Sequence, residues 1–273
     1  MTILVTGATG LVGERLVPRL IESGIGCRVL LRNDKVAPAG ATAVEGDLFD
    51  PVSLERAVTG VSAVVHLAAV FRTKDNDLIW KSNLEGTRNL IAATKRYSPQ
   101  ARFIMASTSN IYDVNAPRPG REDDRADPKQ AYPASKLAAE KELRGSGLTW
   151  SVLRFAFVYG DRDGHLESMP KLAAHGQFKF QPAARMSMVH HSDIAKAVKL
   201  ALSGALDGHV VNIADDAPTS IYELFGLVGA AIEPSAEPLG NPWHLQVDNS
   251  LARKLGFKPE IRTVFQAAER NLL

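Results

Sequence analysis

Runs of apolar residues alternate with amphipathic segments through the first two-thirds of the chain. Ile3–Thr6 is a short β-branched run and reads as a buried strand. Leu11–Ser23 has helical spacing, with Leu11, Leu16, Leu20 and Ile21 on one side, and Gly24 ends it. Arg28–Arg32 and Ala41–Glu45 read as the next two strands. Asp50-Pro51 marks a turn into a helix beginning near Ser53, and Ala63–Leu67 is a fourth strand. Then follow a long helix over Asp77–Tyr97, a strand Arg102–Ala106, a helix Ala131–Leu143 and a strand Trp150–Phe155. Strands separated by helices require right-handed crossovers, hence a parallel sheet covered on both faces. Near-continuous apolar strands such as Phe103-Ile104-Met105 fit that burial.

Beyond Phe155 the rhythm degrades, with glycine and proline frequent. A helix Ser192–Leu202 and a strand Val210–Ile213 read as a return to the main sheet. The expected architecture is α/β: a Rossmann-like, doubly wound parallel sheet with a smaller, discontinuous C-terminal substrate lobe. The sheet domain would take 1–155 plus about 190–214, and the lobe about 156–189 plus 215–273. No internal repeat or low-complexity tract interrupts this.

Composition changes the picture little. The 273 residues carry a formal net charge of +2, with no block of like charge, which disfavours nucleic acid or an anionic membrane as the partner. No apolar run reaches the roughly 20 residues of a membrane span. The N-terminus lacks the marks of a targeting signal, so a cytoplasmic location is expected. The single cysteine, Cys27, lies in an apolar run and reads as a small buried hydrophobe.

Chemistry enters with Gly7-Ala8-Thr9-Gly10-Leu11-Val12-Gly13, between the first strand and the first helix. Gly7 permits a tight turn, Gly10 leaves room for a pyrophosphate near the backbone, and Gly13 lets helix and strand pack closely. The helix N-terminus then offers free N–H groups to phosphate. Tyr132 and Lys136, spaced i and i+4, share one helix face. An ammonium beside a phenol favours phenolate and lowers its pKa, so the tyrosine can exchange a proton with a substrate hydroxyl or carbonyl. His66, His190 and His191 lack metal-site spacing, and no metal is expected.

The run Thr6–Gly13 resembles the extended branch of the short-chain dehydrogenase/reductase superfamily, the epimerase/dehydratase family. Gly46-Asp47-Leu48 resembles its adenine-binding element, and His66-Leu67-Ala68-Ala69 the segment lining the cofactor. Asn83-Leu84-Glu85-Gly86-Thr87 resembles the family helix that carries a structural Asn. The resemblance implies nicotinamide dinucleotide bound by Gly7, Thr9, Gly10, Leu11, Val12, Gly13, Arg32, Asp47, Leu48, Leu67, Ala68, Ala69, Asn83, Tyr132 and Lys136. Lys136 would also bond the nicotinamide ribose. The family pattern puts the catalytic hydroxyl four residues before Tyr112, on Thr108, with Ser107 the alternative.

Arg32 stands at the end of the second strand, where an acidic residue would bond the ribose hydroxyls and exclude a 2′-phosphate. Its guanidinium, with Lys35 near, favours NADP; if Asp34 bonds the ribose instead, the cofactor is NAD. Ser109-Asn110 stands where sugar-nucleotide dehydratases carry Asp-Glu. Phe157 stands where the family has a nucleotide-contacting Asn, and residues 239–245 hold no arginine for a diphosphate. These departures favour a reductase or dehydrogenase acting on a secondary alcohol or ketone. A sugar or nucleotide-sugar epimerase with tightly held cofactor stays close behind, and a non-catalytic dinucleotide sensor is the third reading. Phe71, Arg72, Arg185, Trp243 and His244 are pocket candidates by position in the family pattern, and the resemblance implies a homodimer.

Overall fold

A computed structural model describes residues 1–32, 34–174 and 181–273, so positions 175–180 of the expected lobe lie outside the described residues. The chain runs β1 (Thr2–Thr6), α1 (Gly13–Glu22), β2 (Gly26–Leu31), β3 (Thr42–Glu45), α2 (Pro51–Val58) and β4 (Ala63–His66). It continues with α3 (Asn76–Trp80), a π-helical turn Lys81–Glu85, α4 (Gly86–Tyr97), β5 (Arg102–Thr108), α5 (Ala131–Arg144) and β6 (Trp150–Phe155). These are followed by β7 (Phe157–Tyr159), α6 (His165–Ala174), β8 (Arg185–Met186), β9 (Met188–His190), α7 (His191–Leu202) and β10 (Val210–Ile213). The chain closes with β11 (Thr219–Ser220), α8 (Ile221–Leu227), α9 (Ser250–Lys254) and α10 (Val264–Glu269).

Seven strands form one parallel sheet in the order β10-β6-β5-β4-β1-β2-β3. The chain winds outward from β1 to β3, then crosses back to add β4, β5, β6 and β10 on the other side. The crevice between β1 and β4 is therefore the topological switch point, where ligands bind beyond the strand ends. Strand alternation splits the core. Ile3, Val5, Val65 and Ile104 face α1 and α7, whereas Leu4, Val64, Phe103 and Met105 face α2, α4 and α5. A third apolar cluster, with Tyr159, Met169, Met188, Leu224, Phe225 and Val264, packs the small lobe. There β7 pairs with β9 in parallel, and β8 with β11 antiparallel.

Two expectations need correction. The helix predicted over Asp77–Tyr97 is not uniform, because the π-helical turn inserts one residue into its ladder and shifts the phase of its faces. The first helix begins at Gly13 rather than Leu11, since residues 10–12 belong to the glycine turn.

Candidate functional site

The glycine turn hangs from the end of β1. Gly7 has φ +73°, a left-handed conformation, and a Cβ there would lie 2.6 Å from the Ala68 nitrogen on the neighbouring strand end. At Gly13 a Cβ would lie 2.1 Å from the Gly7 carbonyl oxygen, so only glycine lets α1 sit this close to β1. Gly10 differs: a Cβ would meet only the Gly7 oxygen, at 3.4 Å, and its outer side opens to the cleft. Packing thus requires glycine at Gly7 and Gly13, whereas Gly10 leaves the turn open toward the cleft.

His66 fixes the floor beneath the turn. The Thr87 hydroxyl donates to the Asn83 carbonyl at 2.6 Å, so its oxygen accepts from His66 Nε2, 2.9 Å away. The Nδ1 then accepts from the Thr6 hydroxyl at 2.7 Å. Burial, with Lys136 near, pushes this imidazole down to about 3, so it stays neutral and structural.

A cleft of about 2290 Å³ runs from this turn across the strand ends to the small lobe. That exceeds the roughly 300–1,000 Å³ of an ordinary small-molecule pocket, leaving room for a dinucleotide and a second ligand. Gly7, Thr9, Gly10, Leu11, Val12, Gly13, Arg32, Asp47, Leu48, Leu67, Ala68 and Ala69 all line it. Lys35 lines it as well, but Asp34 does not. Asn83 is the exception. It is fully buried behind the wall, where it accepts from Val70 N at 2.7 Å and donates to the Val70 carbonyl and Ser135 Oγ. It braces the loop after β4 rather than facing the cleft.

Thr108, Tyr132 and Lys136 all line the cleft. Thr108 ends β5, and its hydroxyl accepts from Asn110 N at 3.1 Å, leaving its own proton to donate. Ser107, one residue earlier, donates to the buried Glu140 carboxylate. Ser107's proton is thus committed inward, although both residues line the cleft. Lys136 is 1% exposed, and burial pushes its ammonium down to about 8, with Glu140 opposing the shift. Tyr132 departs from expectation: burial pushes its phenol up to about 12. The anionic phenolate is penalised by the apolar surroundings, which include the Phe71 ring 5.6 Å away.

Sequence reasoning missed the polar network behind these groups. Glu140 lies one helical turn beyond Lys136. It accepts from Arg154 Nε at 3.1 Å and Nη2 at 2.7 Å, with both side chains almost wholly buried. Arg154 also donates to Tyr112 Oη at 3.0 Å, which donates to Asn212 Oδ1 at 2.6 Å. A charged residue on the buried face of α5 was the available signal. Of the pocket candidates, Phe71, Arg72, Trp243 and His244 line the cleft. Arg185 does not; it is exposed and donates to the Pro218 carbonyl instead. His190 caps α7, and His191 Nε2 donates to Asp163 Oδ2 at 2.9 Å. Among the described residues no three His, Cys, Asp or Glu side chains cluster to hold a metal, and no helix is long and apolar enough to cross a membrane.

The profile of the NAD dependent epimerase/dehydratase family matches residues 3–214. The chain belongs to this family. Like its relatives, this epimerase/dehydratase family member is an enzyme. It is 26% identical over 242 residues to a 4-hydroxy-2-methyl-3-oxo-4-farnesyl-3,4-dihydroquinoline-1-oxide ketoreductase of Stigmatella aurantiaca, covering 84% of this chain and 72% of that one. It is 29% identical over 199 residues to a ceramide reductase of Caulobacter vibrioides, covering 71% of this chain and 58% of the relative. Among solved structures, UDP-glucose 4-epimerase of Thermotoga maritima, bound to UDP-glucose, superposes with a TM-score of 0.81. That match has 26% identity and covers 98% of this chain and 96% of the other. A Thermus thermophilus UDP-glucose 4-epimerase in complex with NAD gives 0.81 at 25% identity, covering 98% of each chain.

Proposed function

We propose that this family member is an NADP-dependent reductase of an apolar, non-nucleotide ketone. The observation that carries the reading is that Thr108, Tyr132 and Lys136 line the same cleft as the glycine turn. When bound, the nicotinamide supplies the hydride. Tyr132 delivers a proton to the substrate oxygen; a phenol held protonated by burial suits the direction of reduction. Thr108 donates a hydrogen bond to the same oxygen as charge develops there. Lys136, still cationic below about pH 8, holds the ribose and favours the phenolate once the proton has left. Arg32 and Lys35 on the cleft, with Asp34 off it, support a 2′-phosphate.

Phe157 supports reduction of something other than a nucleotide sugar. Its ring stacks on His165 with centroids 5.0 Å apart, and both line the cleft. A hydrophobic ring cannot replace the polar contact of the family's Asn. The two reductase relatives, a farnesyl-dihydroquinoline-oxide ketoreductase and a ceramide reductase, point the same way. An epimerase is the second reading, favoured by the extent of the match to the UDP-glucose 4-epimerases.

Consumption of NADPH with a panel of apolar ketones tests the proposal. Tyr132→Phe is expected to abolish turnover and keep cofactor affinity. Full activity in that variant would overturn the catalytic assignment. Interconversion of a UDP-sugar without net NADPH loss would establish the epimerase.

A further inference from the structure

Arg72 is a cation on the cleft wall with no acidic partner among the described residues. It follows Phe71 on the loop after β4, and its φ of +60° is unusual for a long side chain. Strain of that kind persists where surrounding contacts hold it, often at functional sites. The contacts here can be traced. His165 Nδ1 donates to the Val158 carbonyl at 3.0 Å, so Nε2 carries the lone pair. The Arg72 guanidinium donates to that Nε2. Burial, with Arg72's charge adding to it, pushes His165 below its ordinary value, so the imidazole remains a neutral acceptor. The guanidinium also lies 5.1 Å from the centre of the Phe71 ring, which in turn lies 5.6 Å from the Tyr132 ring. A cation, an aromatic shelf and the phenol are therefore held in a row.

Among the described residues no carboxylate pairs with Arg72. The acids that line the cleft have other partners. Asp127 is taken by Lys129 at 2.5 Å, Asp113 accepts from Asn115 N at 2.9 Å, and Asp47 accepts from Phe49 N at 2.6 Å. His165 occupies one edge of the guanidinium, and the remaining N–H groups match a planar two-oxygen anion.

Building on the reductase reading, we propose that the substrate bears a carboxylate, which Arg72 binds while the apolar body lies along Phe71 and Phe157. The substrate is thus an oxo acid rather than a neutral ketone, and Arg72 is the residue that selects it.

The test is calorimetric binding of 4-phenylbutanoate and of its neutral isostere 4-phenylbutanamide, each with and without saturating NADPH. The acid is expected to bind about ten- to hundredfold more tightly, the range of one charge-assisted pair. Arg72→Gln should erase that preference and leave NADPH affinity and circular dichroism unchanged; Arg72→Lys, keeping charge but not the fork, should retain part of it. Equal binding of acid and amide, binding of neither, or a preference that survives Arg72→Gln would overturn the proposal. So would UDP competing with 4-phenylbutanoate and losing its own affinity in Arg72→Gln, since the anion would then be a diphosphate. Failure of NADPH to bind would sink the reductase reading, whereas the acid–amide comparison without cofactor judges Arg72 separately.

Discussion

Glu140→Gln is the most informative single change, because it keeps the shape of the side chain and removes its charge. The carboxylate is fully buried and accepts two hydrogen bonds from Arg154 and one from Ser107. A glutamine would turn N–H groups toward the Arg154 donors. The guanidinium, 3% exposed, would be left without a counter-charge. Breaking a buried pair from one side costs about 3–5 kcal/mol. At roughly 2–4 °C per kcal/mol for a chain of this order, Tm should fall by on the order of 10 °C. A companion Glu140→Gln/Arg154→Met variant should recover much of the loss, since an apolar replacement of the whole pair leaves no stranded charge. The change also has an electrostatic readout. Lys136 titrates near 8, and Glu140 is the group that holds it up against burial. Without that charge the ammonium is lost at lower pH, so the alkaline fall of the pH–rate profile should move toward neutrality. Urea or thermal denaturation measures the first effect, and steady-state rates between pH 6 and pH 9 the second. A Tm within a degree of the parent, together with an unmoved profile, would refute the reasoning.

Gly13→Ala should abolish dinucleotide binding in a fluorescence titration, because its Cβ would sit 2.1 Å from the Gly7 carbonyl and must push α1 away from β1. Thr108→Val, nearly isosteric, should lower kcat about 10²–10³-fold, the effect of losing one donor to the reacting oxygen, with cofactor affinity retained. Asp215 is held protonated by burial, with Asp216 and Asp193 adding to the effect, and its pKa is raised from 3.8 to about 8. The folded chain keeps this proton while the unfolded chain releases it, so stability falls as pH rises from about 4 to about 8. Asp215→Asn should therefore gain Tm relative to the parent progressively across that window; a constant difference between the two would contradict the assignment.

The sheet was legible because its strands are short apolar runs bounded by glycine and by amphipathic helices, and local pattern alone specifies these. The glycine turn was legible because its three glycines fall within seven residues, although the close approach of Gly7 to Ala68 joins distant segments. The π-helical turn at Lys81–Glu85 was not, because one inserted residue is within the tolerance of a helical pattern. Strands β7, β8 and β9, of two or three residues, are too short to show a period. At the site, Tyr132 and Lys136 were readable from their spacing, but the direction of Tyr132's shift was not. It depends on how the Phe71 loop folds over the phenol, a contact between residues far apart in sequence. Glu140 was hidden likewise, since its partners Ser107 and Arg154 come from two other strands. Arg185 was misjudged because its position in a pattern says nothing of where β8 turns it.

Tyr132, Lys136 and Glu140 occupy successive turns of a single helix, α5, and Thr108 ends the strand beneath it. The groups that touch the far end of the cleft come from elsewhere: the loop after β4, the segment around Phe157 and His165, and the stretch around Trp243. On the proposed reading, reactivity and selectivity are inherited on different stretches of polypeptide. Mutation can rewrite the second set without disturbing the first, so one scaffold can acquire a new substrate by exchanging loops alone. For an engineer this defines the unit of transplantation. Loops from an epimerase relative grafted onto this helix and strand should redirect the chemistry to a different molecule, whereas inserting one residue within α5 would rotate its face by about 100° and end the reaction for every substrate at once.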